Sequence, residues 1–258
     1  DTTSLDKPAL KEYAYLYFFA SDIFYWAKET KDIPAYYSIA ERFALKAGDS
    51  FLYGRAKAYK AGFYSEIGKY ALASKMLNEV VKIARTIKDT TLLSESNIFL
   101  ADLYGDMGFF EESMVIRNEN IALNMHVHEY DLVESHRNIN IDLLNGSIDA
   151  EIHQKDSLRI QLLERAFEHL EEPESETIDR PYILYSLLRA YSETGNLPLA
   201  KQFYEKIQNE YIHQGKATRL PDEYLNAIAP YYFALGEYEK AKIAQKKAIQ
   251  NYIKTNSV

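Results

Sequence analysis

The chain has 258 residues, 47% of them hydrophobic and 26% charged, which is enough apolar material for a sizeable folded unit and excludes global disorder. Its formal charge is −8, from 38 acids against 30 bases, so it lacks the basic footprint that nucleic-acid binding needs. No cysteine is present, which removes disulfides, thiolate metal sites and cysteine nucleophiles together, and leaves both periplasm and cytoplasm open as compartments.

Only 10 glycines and 7 prolines punctuate the sequence, which favours long helices joined by short turns. The chain opens at Asp1 without a Met, a basic leader or an apolar signal segment, and so reads as a mature or truncated product. The first predicted helix covers Ala9 to Lys28. Its most apolar stretch, Tyr13 to Ala27, contains Ser21 and Asp22 and falls short of the ~20 residues that a membrane span needs. Its large side chains surround the helix instead of forming one stripe, although the end helix of a repeat array should be polar outside. Phe18, Phe19 and Trp26 are therefore expected at an interface, with a homodimer through this helix as one outcome. An aromatic cap whose tyrosine hydroxyls reach water is the other. The second helix covers Ile33 to Ala47, with Asp32 as N-cap, Pro34 in the first turn and Gly48 as terminator.

Four later segments share one template. Ala61, Tyr64, Gly68, Tyr70 and Ala73 recur in order as Ala101, Tyr104, Gly108, Phe110 and Ser113. They recur again as Leu188, Tyr191, Gly195, Leu197 and Ala200, and as Ala229, Tyr232, Gly236, Tyr238 and Ala241. The first small or apolar residue and the tyrosine lie three apart, on one face of a first helix. The glycine ends that helix in the left-handed conformation, and the last small residue lets a second helix approach. Gly68 and Gly108 are 40 residues apart, and Gly195 and Gly236 are 41 apart. The 87 residues between Gly108 and Gly195 hold two periods and a small insertion. A degenerate repeat is expected there. Its first helix, Tyr130 to Leu144, is broken by Asn145-Gly146-Ser147, and its second runs from Ser157 to Leu170. The acidic stretch Glu171 to Glu176 reads as an exposed connector. The last helix, Glu237 to Lys254, carries lysines around an apolar stripe and reads as a solvated cap or a link to a further domain.

The order small residue, tyrosine, glycine, aromatic, alanine resembles the tetratricopeptide repeat family, most closely at Ala61 to Ala73 and Ala229 to Ala241. The family's usual period is 34 residues, so these longer repeats imply helices about one turn longer. Such repeats resemble those of bacterial regulators that sense peptides or partner proteins. The resemblance implies an all-α, right-handed α-solenoid of about six antiparallel pairs, at 9–48, 50–88, 91–126, 129–171, 179–214 and 221–256, in one domain over 1–258. It also implies a non-enzymatic scaffold or sensing region of signalling or transcription regulation, binding a protein or peptide, without cofactor or metal.

By the same resemblance the first helices line the concave face, which places Arg55, Asp102, Asn138, Tyr182, Tyr185, Arg189 and Asn226 as peptide-binding residues. No lysine falls at these positions, so the family's clamp for a terminal carboxylate is not expected. Acids at Glu95 and Asp102, with Tyr182, Tyr185 and Arg189 further on, suit a peptide with apolar and basic groups. Asn138 and Asn226 would hold its backbone.

No phosphate-cradling loop, nucleophile elbow or paired-carboxylate motif is present. His126, His128 and His136 lie near Glu129 and Asp131. His126 and His128 are two apart at a turn and do not share a helical face, so surface histidines are expected there instead of a metal site. Two alternatives remain open. One is an assembly module dimerising through the first helix. The other is a regulator with concealed phosphatase-type activity, whose helical bundle would survive in the first pair.

Overall fold

Aspartates start many of the helices, and residues in the left-handed conformation end them. The computed structural model describes residues 5–27, 30–126, 132–170, 180–212 and 222–256, and the chain divides into two compact units, 1–129 and 130–258. Unit 1 holds α1 (Lys7–Trp26), α2 (Ile33–Ala47), α3 (Ser50–Glu66), α4 (Tyr70–Ile87), α5 (Thr90–Asp106) and α6 (Phe110–Asn124). Unit 2 holds α7 (Leu132–Ile152), α8 (Asp156–Leu170), α9 (Arg180–Glu193), α10 (Leu197–Ile207), α11 (Asp222–Ala234) and α12 (Tyr238–Asn256). The fold class is all-α, in antiparallel helix pairs, with no strand among the described residues. The connector expected at Glu171 to Glu176 lies outside them.

The aspartates before α3 and α5 act as N-caps. Asp49 accepts from the Leu52 amide at 2.9 Å and Asp89 from the Leu92 amide at 2.8 Å, which satisfies donors that the first turn leaves open. Asp32 holds the expected cap position of α2 but makes no side-chain cap bond, because a single 3-10 turn, Thr30–Asp32, leads directly into the helix.

The template glycines Gly68, Gly108, Gly195 and Gly236 all have φ between 74° and 79°. In each case the next residue's N–H reaches back to the template tyrosine's carbonyl. Lys69 to Tyr64, Phe109 to Tyr104 and Asn196 to Tyr191 all measure 2.8 Å, and Glu237 to Tyr232 measures 2.9 Å. That is the six-to-one bond of a Schellman turn, which closes carbonyls that the helix end would orphan. A side chain at any of the four would meet nothing within 4 Å, so glycine is required there by φ and not by space.

The small template positions are buried. Ala61, Ala73, Ala101, Ser113, Leu188 and Ala200 are 0% exposed, and Ala229 and Ala241 nearly so. In unit 1, α3 lies on α4 and α5, and Leu77, Val80, Leu92 and Leu103 form the centre of that core.

The degenerate repeat needs a correction. The expected break at Asn145-Gly146-Ser147 does not occur, and α7 runs through it for 21 residues. A glycine inside a helix costs only about 1 kcal/mol relative to alanine. Burial of Ile139, Leu143 and Ala150 on the same helix outweighs that cost. The Ser147 hydroxyl stays local, donating to the Leu144 carbonyl at 2.7 Å. The helix ends instead at a Schellman turn built on Gln154, φ 55°, where the Lys155 N–H reaches the Ala150 carbonyl at 2.8 Å. Lys88, φ 57°, plays the same part after α4.

Among the described residues no helix is long and apolar enough to cross a membrane.

Candidate functional site

In unit 2, α9 lies against α8, α10 and α11, and α7 lies against α8. The side chains between α7, α9 and α11 enclose a cavity of about 350 Å³. Leu144, Ile148 and Ala227 form apolar wall, joined by the rings of Tyr182 and Tyr185. Asn145, Ser147, Ser186 and Asn226 supply neutral polar groups, and Glu151, Arg159, Arg189 and Glu223 supply charge. A largely apolar recess of this size with a few converging polar groups is what small ligands and peptide side chains occupy.

Three of the four lining charges belong to a closed ring of ion pairs. Arg159 of α8 reaches Glu151 of α7 at 3.1 Å and Glu193 of α9 at 2.7 Å. Arg189 of α9 reaches the other oxygens of the same two carboxylates, at 2.6 Å on Glu151 and 2.8 Å on Glu193. Two cations and two anions cancel, and the planar guanidinium forks suit this paired geometry. Burial by itself would lower the Arg189 pKa. Hydrogen bonds and charges from Glu193 and Glu151 outweigh that effect and raise it, so the cation is secure.

Glu223 is the remaining lining charge, and it has no ion-pair partner among the described residues. The four lining charges sum to zero; counting Glu193, the ring's fourth member outside the lining, the ring cancels and Glu223 leaves one net negative charge at the site. Tyr185 beside it is 4% exposed, and burial, then the nearby Tyr211, Glu223 and Tyr182, push its hydroxyl up to about 12. Pro230 inside α11 has no N–H, so the Asn226 carbonyl one turn earlier loses its helical donor at the cavity wall.

The structure brings four of the seven residues expected on the binding face to this cavity: Tyr182, Tyr185, Arg189 and Asn226. It does not bring the others there. Asn138 is 3% exposed and engaged within the chain, so its amide is not offered to a ligand. Arg55, in unit 1, pairs with Glu95 at 2.7 Å and sits 5.4 to 6.0 Å from the rings of Phe18, Phe51 and Tyr59. Asp102 pairs with the buried Arg117 at 2.7 Å. Glu223, which the same reading of helix positions also puts on the groove side of its helix, lies at the cavity as well. The sequence reading missed Glu151 and Arg159, and neither carried a signal.

The interface expectation for α1 also needs correction. Phe18 is 2% exposed and packs with Ile33, Tyr37, Ala40 and Phe63 inside its own unit, so it offers nothing to a second chain. Phe19 is 53% exposed, and the Trp26 side chain lies outside the described residues. Of the histidines weighed as metal ligands, His128 also lies outside them. His136 of α7 meets His169 of α8 instead, Nδ1 to Nε2, at 2.8 Å.

Residues 222–251, which hold α11 and most of α12, match the family model described as Tetratricopeptide repeat. No curated protein sequence matches the chain. Among solved structures it is similar to aspartyl phosphate phosphatase F from Bacillus subtilis, at 13% identity and a TM-score of 0.65, over 92% of this chain and 69% of that one. It is similar to a Rap protein complexed with Competence and Sporulation Factor, at 14% identity and a TM-score of 0.64, over 94% of this chain and 64% of that one. It is also similar to BtubC (BKLC) from P. vanneervenii, at 14% identity and a TM-score of 0.63, over 97% and 93% of the two chains. At such identities the likeness concerns the fold. With its repeated Schellman turns, buried small residues and one recognised repeat, the chain is a tetratricopeptide-like helical-repeat protein.

Proposed function

We propose that the protein is a non-enzymatic binder of a protein or peptide segment, and that the cavity of unit 2 takes one basic side chain of that segment. Glu223 carries this reading, as the one lining charge left over once the ion ring cancels. The aliphatic stem of a lysine or arginine would lie on Leu144 and Ile148, with its cationic head between Glu223 and the faces of Tyr182 and Tyr185. Asn226 would hold the neighbouring backbone. A regulatory, signal-sensing role fits the likeness to a Rap protein complexed with Competence and Sporulation Factor. The test is selection from a random octapeptide library on beads, with wild type beside Glu223→Gln. The reading expects wild type to enrich lysine or arginine next to apolar residues and the variant to lose that preference. Enrichment without basic residues, or a preference that survives in the variant, would refute it.

A specific observation keeps self-association as a second reading. Leu16, Phe19 and Ile23, at successive helical turns of α1, are 61%, 53% and 67% exposed. Sedimentation of wild type beside Phe19→Asp decides it, because a dimer through this face dissociates in the variant.

A further inference from the structure

The last helix pair carries a second recess, independent of the cavity. Ile228 and Tyr232 of α11 and Lys240, Ile243 and Lys247 of α12 line a cleft of about 250 Å³ on one side of the pair. Elsewhere a groove of this kind holds a helix. Within unit 1, α3 packs on both α1 and α2, and α5 packs on both α3 and α4. Within unit 2, α11 packs on both α9 and α10. No described helix lies in the corresponding groove of α11 and α12. Ile243 there is 53% exposed.

The seated helices also show what such a groove selects. Leu92 and Phe99 of α5, seven residues apart, press on Gly54 and Gly62 of α3. Tyr224 and Tyr231 of α11, again seven apart, lie 5.6 Å from Tyr185 and 4.9 Å from Tyr204, ring centre to ring centre. A helix with large apolar residues at seven-residue spacing is the matching shape.

Charge adds the rest. The α12 helix carries Lys240, Lys242, Lys246, Lys247 and Lys254 against the single acid Glu239, in a chain of net charge −8. Lys240, Lys247 and Lys254 repeat every seven residues, so they form one row at intervals of about 10.5 Å. Lys240 is held at 2.8 Å by Glu237, while Lys247 has no ion-pair partner among the described residues. We propose that this cleft seats an amphipathic helix of a partner protein, apolar at seven-residue spacing and acidic along the flank that meets the lysine row. Complementary charge of this kind sets register and speeds encounter more than it adds affinity.

The probe is a labelled helical peptide of about 18 residues, long enough to form a helix on binding, with leucines seven apart and glutamates along one flank. A twin carries lysines for the glutamates. Fluorescence anisotropy at low salt is expected to show binding of the glutamate peptide and none of the lysine twin. Lys240→Glu/Lys247→Glu should weaken the glutamate peptide by tenfold or more, on the order of one like-charge penalty, and should admit the twin. Ile243→Asp should abolish both. All three positions are exposed, so the variants keep the fold, and circular dichroism confirms it. Equal binding of the two peptides, or an affinity that ignores the double reversal, overturns the proposal. A dimer of the protein alone that Ile243→Asp dissociates would place a second copy in the cleft and overturn it equally. Glu223→Gln should leave all of these results unchanged.

Discussion

The seam between α3 and α5 in unit 1 and the gap between α7 and α9 in unit 2 solve the same packing problem in opposite ways. In the first, glycines remove side chains so that the helices approach closely. A Cβ at Gly54 would lie 2.7 Å from Leu92 Cδ2, and one at Gly62 would lie 2.7 Å from Phe99 Cδ1. In the second, no such approach occurs, and Arg159, Glu151, Arg189 and Glu193 bridge the helices through charge. Close packing leaves no room for a ligand, while the ion ring spans a distance and leaves a cavity beside it. Repeats of one template thus yield a sealed core in one place and a recess in another.

Breaking the ring should have the largest effect. Arg159 is 5% exposed at its side chain and holds two carboxylates. Arg159→Leu leaves Glu151 and Glu193, each a third exposed, sharing Arg189 alone, and should destabilise the protein by up to about 3 kcal/mol in urea unfolding, since two carboxylates lose the more buried of their two cations. A loss below about 0.5 kcal/mol would mean that the ring behaves as an ordinary surface network.

Closing the tight seam with a side chain should cost somewhat less. Gly54→Val drives two methyl groups into Leu92, which is itself 0% exposed and has nowhere to move, so a loss of about 2 kcal/mol is expected. The contrasting substitution is Ser186→Leu, which points its added carbons into the cavity wall. Its stability change should stay within about 0.5 kcal/mol, while peptide binding is blocked. Equal costs for the two would show that the α7–α9 gap closes in solution.

The helix ends give a smaller effect, with opposite signs at two places. Gly68→Ala forces a left-handed residue to carry a Cβ and should cost about 1 kcal/mol, with no clash, because the site is open. Gln154→Gly relieves the same strain after α7 and should stabilise by several tenths of that. Thermal unfolding of the pair checks both signs.

That pair also marks the limit of what the sequence tells a reader. Gly68, Gly108, Gly195 and Gly236 announced their turns because glycine is the residue that tolerates positive φ without a penalty. Gln154 adopts φ 55° at the end of α7 without being a glycine, and nothing in its identity signals a turn, so the break was read at Asn145-Gly146-Ser147 instead. The site was half legible for a related reason. Tyr182, Tyr185, Arg189 and Asn226 follow from helix position within a repeat. The ring does not, because Arg159 pairs across 34 residues with Glu193 and Arg189 across 38 with Glu151. Phe18 and Phe19 are equal in the sequence, and only the presence of α2 and α3 decides which one is buried.

The effect at Tyr185 vanishes at neutral pH and appears only in alkali. Its hydroxyl titrates at about 12 in the folded chain because burial opposes the phenolate. In the unfolded chain it reverts to the ordinary value near 10. A folded pKa above the unfolded one gives a contribution that is complete below about pH 10 and is lost as pH rises towards 12, since the unfolded chain releases its proton first. Tyr185→Phe should therefore leave stability at pH 7 nearly unchanged and make its decline between pH 10 and 12 shallower by one proton's worth of slope. Other buried tyrosines, Tyr191 and Tyr224 among them, keep the rest of the decline. An unchanged slope would mean that water already reaches the Tyr185 hydroxyl through the cavity mouth. The recess would then be a wet groove instead of an apolar seat, and its preference would rest on Glu223 without the aromatic wall.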